Sequence, residues 1–174
     1  IVKFKLIDIN SADIPNLNEL IYNFEHALDS QKYHKPNDQG STAKDTIKLY
    51  EKALELLKKD KVKIFQIEDS NTTGMYWDEG KESPFFNYIK ARSYSSKPED
   101  ALGAFGIGKL APFVVSDLRT VFASSVYKIG NKIFQSTQGK SKFSSLYDDN
   151  EDSSSQRTAV GYWGNKVSYN PVSV

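Results

Sequence analysis

Gly103-Ala104-Phe105-Gly106-Ile107-Gly108-Lys109 decides the reading of this chain: three glycines and a lysine at the start of a short helix that the sequence carries through Leu118. Glycine lets a ligand approach the backbone closely and admits positive φ. Successive N–H groups entering a helix N-terminus favour an anion, because the donors are unpaired there and the helix dipole has the matching sense. Lys109 adds a full positive charge, so the stretch predicts a phosphate-binding turn. A glycine-rich turn that only packs a helix against a sheet is the other reading of the same residues.

The spacing Gly103-x-x-x-x-Gly108-Lys109 also fits a Walker A loop, which needs Ser or Thr after the lysine for magnesium and a buried strand before the first glycine. Leu110 follows Lys109, and the preceding Ser95 to Asp100 are polar and contain Pro98, so neither need is met. A dinucleotide fingerprint fails for the same lack of a strand.

Upstream, Val62–Ile67 reads as a strand, more apolar than the first strand and so more central. It runs into Glu68-Asp69-Ser70-Asn71-Thr72-Thr73-Gly74-Met75, an abrupt change to turn residues. A carboxylate fixed there can accept a hydrogen bond from an exocyclic amine and so single out adenine. By itself Asp69 would cap its own loop as an Asx-turn. A phosphate-binding turn later in the same chain favours the ligand reading.

Together these two stretches resemble the motifs of the GHKL ATPases (DNA gyrase, heat-shock-ninety chaperones, histidine kinases and MutL mismatch-repair proteins), a D-x-G-x-G turn followed by a G-x-x-G-x-G lid motif. The wording Ile67-x-Asp69-x-Asn71-Thr72-Thr73-Gly74-Met75, then Gly103-x-Phe105-Gly106-Ile107-Gly108-Lys109-x-Ala111-Pro112-Phe113, looks like a bacterial branch of that family. Around the second motif it is also similar to the MORC ATPases. Asn71 and Thr73 stand where the family has glycines, and the turn carries one extra residue before Gly74-Met75. The resemblance implies an α/β two-layer sandwich of the Bergerat type, a mixed sheet with helices on one face. It implies ATP and Mg2+ as ligands, Asp69 as the adenine reader, and Asn71, Thr73, Gly74 and Met75 shaping the base pocket. Gly103, Phe105, Gly106, Ile107, Gly108 and Lys109 would hold the phosphates, and Ser93–Leu102 would form a closing lid. Slow hydrolysis coupled to lid closure and homodimerisation is the implied activity. A module that binds ATP without hydrolysis is the alternative. A histidine-kinase phosphotransferase fits less well, because no substrate-histidine helix is visible.

The family's asparagine box, E-x-x-x-N-x-x-D-A, supplies the base on its Glu and a magnesium ligand on its Asn. Glu19-Leu20-Ile21-Tyr22-Asn23-Phe24-Glu25-His26-Ala27 imitates it, with His26 in place of the aspartate. In the family the box helix precedes a strand that precedes the aspartate strand. Ile1–Ile9 supplies that strand here, with Val2, Phe4 and Leu6 on a half-buried side and Lys3 and Lys5 opposite, which places the box upstream of Ile1 and predicts a single-domain fragment, 1–174.

Residues 13–60 then read as a helical insertion. Asn16 is a candidate N-cap with Glu19 as its capping-box partner. Leu17, Leu20, Ile21, Phe24 and Leu28 form the first helix's apolar stripe, and Ile47, Tyr50, Leu54 and Leu57 that of a second helix over Ala43–Lys59. Glu19 and Asn23 fall on the solvated face. Ser30–Ser41 reads as a loop between them. Ser83-Pro84 starts a helix into Phe85–Ala91. Thr120–Ser125, Lys132–Thr137 and Lys142–Leu146 read as strands, Ala159–Trp163 as an edge strand, and Asp148–Gln156 as an acidic loop. Trp77 and Trp163 read as packing anchors, and Arg119 as pairing with a carboxylate.

Composition closes several alternatives. The 174 residues are 39% hydrophobic and 26% charged, enough for a core that hides roughly 70% of the unfolded surface. With no cysteine and two histidines, thiolate catalysis, disulfides and cysteine- or histidine-rich metal sites are out. Twenty-three basic and 22 acidic residues leave +1, so nucleic acid and anionic lipid are not indicated as partners. Apolar runs are too short for a membrane span, and a cytoplasmic protein is expected.

Overall fold

A computed structural model describes residues 1–34, 41–78, 83–90, 107–143, 146–147, 156–157, 160–168 and 170–173. Their elements run β1 (Val2–Asn10), α1 (Leu17–His34), α2 (Ser41–Leu57), β2 (Lys61–Asp69), α3 (Pro84–Ile89), α4 (Ala111–Val115), β3 (Thr120–Ile129), β4 (Lys132–Lys142), β5 (Leu146–Tyr147), β6 (Gln156–Arg157), β7 (Val160–Trp163) and β8 (Val172–Ser173). The protein is mixed α/β. Where one mixed sheet is expected, the described strands form two open antiparallel sheets and a two-residue ladder between β5 and β6. The chain divides into two compact units, Ile1–Asn71 with Lys142–Val160, and Thr72–Ser141 with Gly161–Val174.

In the first unit α1 and α2 pack on each other. Their periodicity explains why: Leu20, Phe24 and Ala27 of α1 and Tyr50, Ala53, Leu54 and Leu57 of α2 are buried. Phe24 meets Tyr50 edge-on at 5.9 Å and Phe143 at 5.1 Å. Leu17, Ile21, Leu28 and Ile47, expected in the stripes, are only half-buried, because the deep line turns toward Ala27 and Ala53, where small residues allow close approach. Asn16 precedes α1 in the left-handed region, φ 54°, with its carbonyl accepting from Leu20 N. The helix itself continues to His34, into the stretch read as a loop.

The β1–β2 sheet corrects two expectations. Its register sets Val2 opposite Asp69 and Asn10 opposite Lys61, so Val2, Phe4, Leu6, Phe65 and Ile67 share one face. Val2, Phe4 and Leu6 are 56, 64 and 65% exposed, not half-buried. A two-stranded ribbon has no central strand either, and β2 buries only Val62. Phe4 stacks on Phe65 at 6.0 Å, and Lys63 and Lys5 pair with Asp8 and Glu68 at 2.9 and 3.4 Å.

The second unit is built on the β3–β4 hairpin, in register from Thr120–Ser141 to Ile129–Lys132, with β7 and β8 beside β4. Phe85, Ile89 and Ala123 form its core, with Met75, Trp77 and Tyr88 packed around them. Ser83 Oγ accepts from Phe86 N at 3.3 Å, with Pro84 at the first turn, as the sequence predicts. β4 runs unbroken through the gap expected between two strands. Gly139 sits there because a Cβ would come within 2.6 Å of the Phe122 ring, which lies 5.3 Å from the ring of Trp163. The Ser93–Leu102 lid and all of the Asp148–Gln156 loop except Gln156 lie outside the described residues. Among those described, no helix is long and apolar enough to cross a membrane.

Candidate nucleotide site

β2 ends on Asp69, whose carboxylate is 58% exposed and 3.9 Å from the Ile1 amino nitrogen. Asn71 follows at φ 64°, a conformation that Asn tolerates better than other residues bearing a side chain. Both belong to the first unit. In the second unit Thr73 is exposed, and Gly74 takes φ 72°. A Cβ on Gly74 would lie 2.1 Å from the Val126 carbonyl oxygen, so no side chain fits. Met75 N donates to the buried Ser125 Oγ at 2.7 Å, and its side chain packs beside the core.

Of the second motif, Gly103, Phe105 and Gly106 lie outside the described residues. Ile107–Leu110 is a 3-10 turn that leads into α4. Gly108 is exposed, and a Cβ there would meet nothing within 4 Å. Lys109 turns its ammonium onto the Asn87 carbonyl at 3.1 Å. α4 has five residues, so its dipole adds little and any anion here relies on Lys109 and backbone amides. Arg119, expected to pair with a carboxylate, instead sits at φ 47° and donates Nη1 to the Phe113 and Val114 carbonyls, both 3.1 Å, closing the end of α4.

Sequence reasoning missed a polar cluster around α3. Asn87 is buried, and neither its Nδ2 nor its Oδ1 has a hydrogen-bond partner. Such a group costs about 1–3 kcal/mol. Lys140, also buried, donates to the Ile89 carbonyl and lies 5.4 Å from the Tyr162 ring. Lys90 lies 5.8 Å from that ring and 5.5 Å from Trp77, and burial lowers the pKa of its ammonium. Burial raises that of the Tyr88 phenol. One signal was available: Asn87 is the lone polar residue in Phe85-Phe86-Asn87-Tyr88-Ile89. Lys140 gave none, since Ser136, Gln138 and Lys140 alternate like a solvated strand face yet are buried.

Glu19 is exposed on α1 and Asn23 half-buried; His26 stacks on Tyr22 at 6.0 Å. No group of three His, Cys, Asp or Glu residues suited to a metal exists among the described residues. Trp77 packs against Phe85 and Phe86, and Trp163 against Phe122, as anchors. No protein-family model, curated protein or solved structure matches this chain.

Proposed function

We propose that this chain is the ATP-binding part of a GHKL-type ATPase acting in the cytoplasm, with the Bergerat sandwich as its complete fold. One observation carries the reading. The family's turn needs glycine conformations after the aspartate, and within the turn Ser70–Met75 the residues at positive φ are Asn71 and Gly74. Asn71 occupies the first glycine position with a glycine-like backbone. Gly74 takes the second role one residue late, which accounts for Thr73 and for the extra residue. The departures in sequence are thus compatible with the family's backbone path.

In this reading the exposed Asp69 carboxylate accepts from the adenine amine, and Thr73, Gly74 and Met75 border the base. Lys109 and the amides of Gly103–Gly108 bind phosphate. ATP binding drives lid closure and homodimerisation; bound Mg2+ would neutralise phosphate charge. Positioning and charge stabilisation carry phosphoryl transfer to water in such sites.

Base selectivity tests the assignment. Guanine presents a carbonyl oxygen where adenine presents its amine, and an oxygen facing Asp69 leaves two acceptors unpaired. Competition against a fluorescent ATP analogue on the full-length protein should show GTP at least about a hundredfold weaker than ATP. Equal displacement by the two nucleotides would remove the adenine role of Asp69. Phosphate release at saturating ATP then separates an ATPase from a module that only binds.

A further inference from the structure

We infer that Ser125 is a positioning residue of the base pocket: its hydroxyl holds the Gly74-Met75 turn on β3, and the turn so held selects adenine. The role rests on the nucleotide reading above and names a residue outside both sequence motifs. The core-facing row of β3 is Ala123, Ser125 and Tyr127, all buried. A strand with one face on the core fills that face with apolar residues. A serine in that row stands out, and a buried hydroxyl calls for a partner. The partner is the turn, since Ser125 Oγ accepts from Met75 N at 2.7 Å. Thr73 to Trp77 belong to no described strand, so the serine supplies the acceptor that a neighbouring strand's carbonyl would supply in a sheet.

The next two residues of β3 complete the seat. A Cβ on Gly74 would collide with the Val126 carbonyl oxygen and lie 3.0 Å from the Tyr127 Cβ, so the backbone of the turn rests flush on the strand. Beyond it, the Tyr76 carbonyl accepts from Phe85 N at 3.2 Å, and the Met75 side chain packs beside Phe85, Ile89 and Ala123. Contact therefore supports Gly74, and one side-chain hydrogen bond fixes Met75. Losing the hydroxyl keeps the contact and leaves the Met75 N–H to seek water, which lifts the backbone bordering the base. A binding constellation tolerates about 0.5 Å of such movement. The phosphates are held by other residues, so the loss falls on base selection.

Competition against a fluorescent ATP analogue on the full-length protein tests this with ATP and GTP, for the parent, Ser125→Ala, Ser125→Thr and Ser136→Ala. Ser136 is a buried serine of the same sheet, bonded to the Tyr127 hydroxyl at 3.1 Å and to Ser173 Oγ at 3.0 Å, so its removal reports a purely structural loss. Ser125→Ala should weaken ATP about five- to tenfold and leave GTP within about twofold. Ser125→Thr keeps the hydroxyl and should keep the preference for ATP. Ser136→Ala should lower the melting temperature and leave the preference unchanged. If Ser125→Ala fails to fold, Ser125→Cys, whose sulfur is a weak acceptor, should show the same selective loss. Unchanged ATP affinity, or equal weakening of both nucleotides, would overturn the role of Ser125 and leave the nucleotide reading standing. So would an equal narrowing of the preference by Ser136→Ala. A parent that binds no ATP, or does not prefer it, would end the adenine reading and this role with it.

Discussion

Asn71 and Gly74 both take left-handed backbone in the turn after Asp69. Asn71 occupies the left-handed region at φ 64°, which costs an ordinary L-residue about 1–2 kcal/mol. Asn71→Gly should therefore preserve stability in urea unfolding, and Asn71→Val should lose about that amount. Gly74 is held more tightly, since its φ of 72° is joined by the Val126 carbonyl at 2.1 Å from any Cβ. Gly74→Ala should cost about 2 kcal/mol or more; an unchanged unfolding midpoint would contradict the close approach. Tyr88 gives a pH signature. Burial raises its phenol pKa above 10.0, so the folded chain holds that proton more tightly than the unfolded one. The resulting stabilisation is complete below pH 10.0 and is lost as pH rises from there through the folded value. Lys90 works oppositely: its lowered ammonium makes stability rise with pH between its folded value and 10.5. Tyr88→Phe should remove the alkaline loss and leave the Lys90 rise, read as melting temperature against pH. The tight turn after Asp69 was legible at this scale, because turn-forming residues act locally. Asn87 was not, because burial depends on what packs around it.

Helices were the most legible elements. The 3.6-residue periods of α1 and α2 located both helices and the buried Leu20, Phe24, Tyr50, Leu54 and Leu57, and Ser83-Pro84 located the start of α3. Strands were located but misjudged in their surroundings. Alternation in β1 correctly groups Val2, Phe4 and Leu6 on one face, yet says nothing of whether anything covers that face. The same limit hid the buried polar side of β4. A paired substitution measures this difference. Phe24→Ala empties a fully buried site beside Tyr50 and Phe143 and should cost about 3–5 kcal/mol. Phe4→Ala, at an exposed position with one stacked neighbour, should cost about 1 kcal/mol or less. Similar losses in urea unfolding at both positions would mean that the β1 face is covered in solution.

At the scale of the molecule, composition excluded classes of chemistry, and periodicity gave a mixed α/β protein. Neither gave the division of strands into two antiparallel sheets, because pairing joins residues far apart in sequence: β1 closes on β2 across both helices. The central claim is that this chain binds ATP through Asp69, and calorimetry of ATP with the full-length protein and its Asp69→Asn variant tests it most directly. Asp69 is 58% exposed, so the variant should melt as the parent does. The amide places a donor against the adenine amine and removes the acceptor. The parent should bind ATP, and Asp69→Asn should bind at least about a hundredfold more weakly. Equal affinity in the two proteins, or no binding by the parent, would contradict the account.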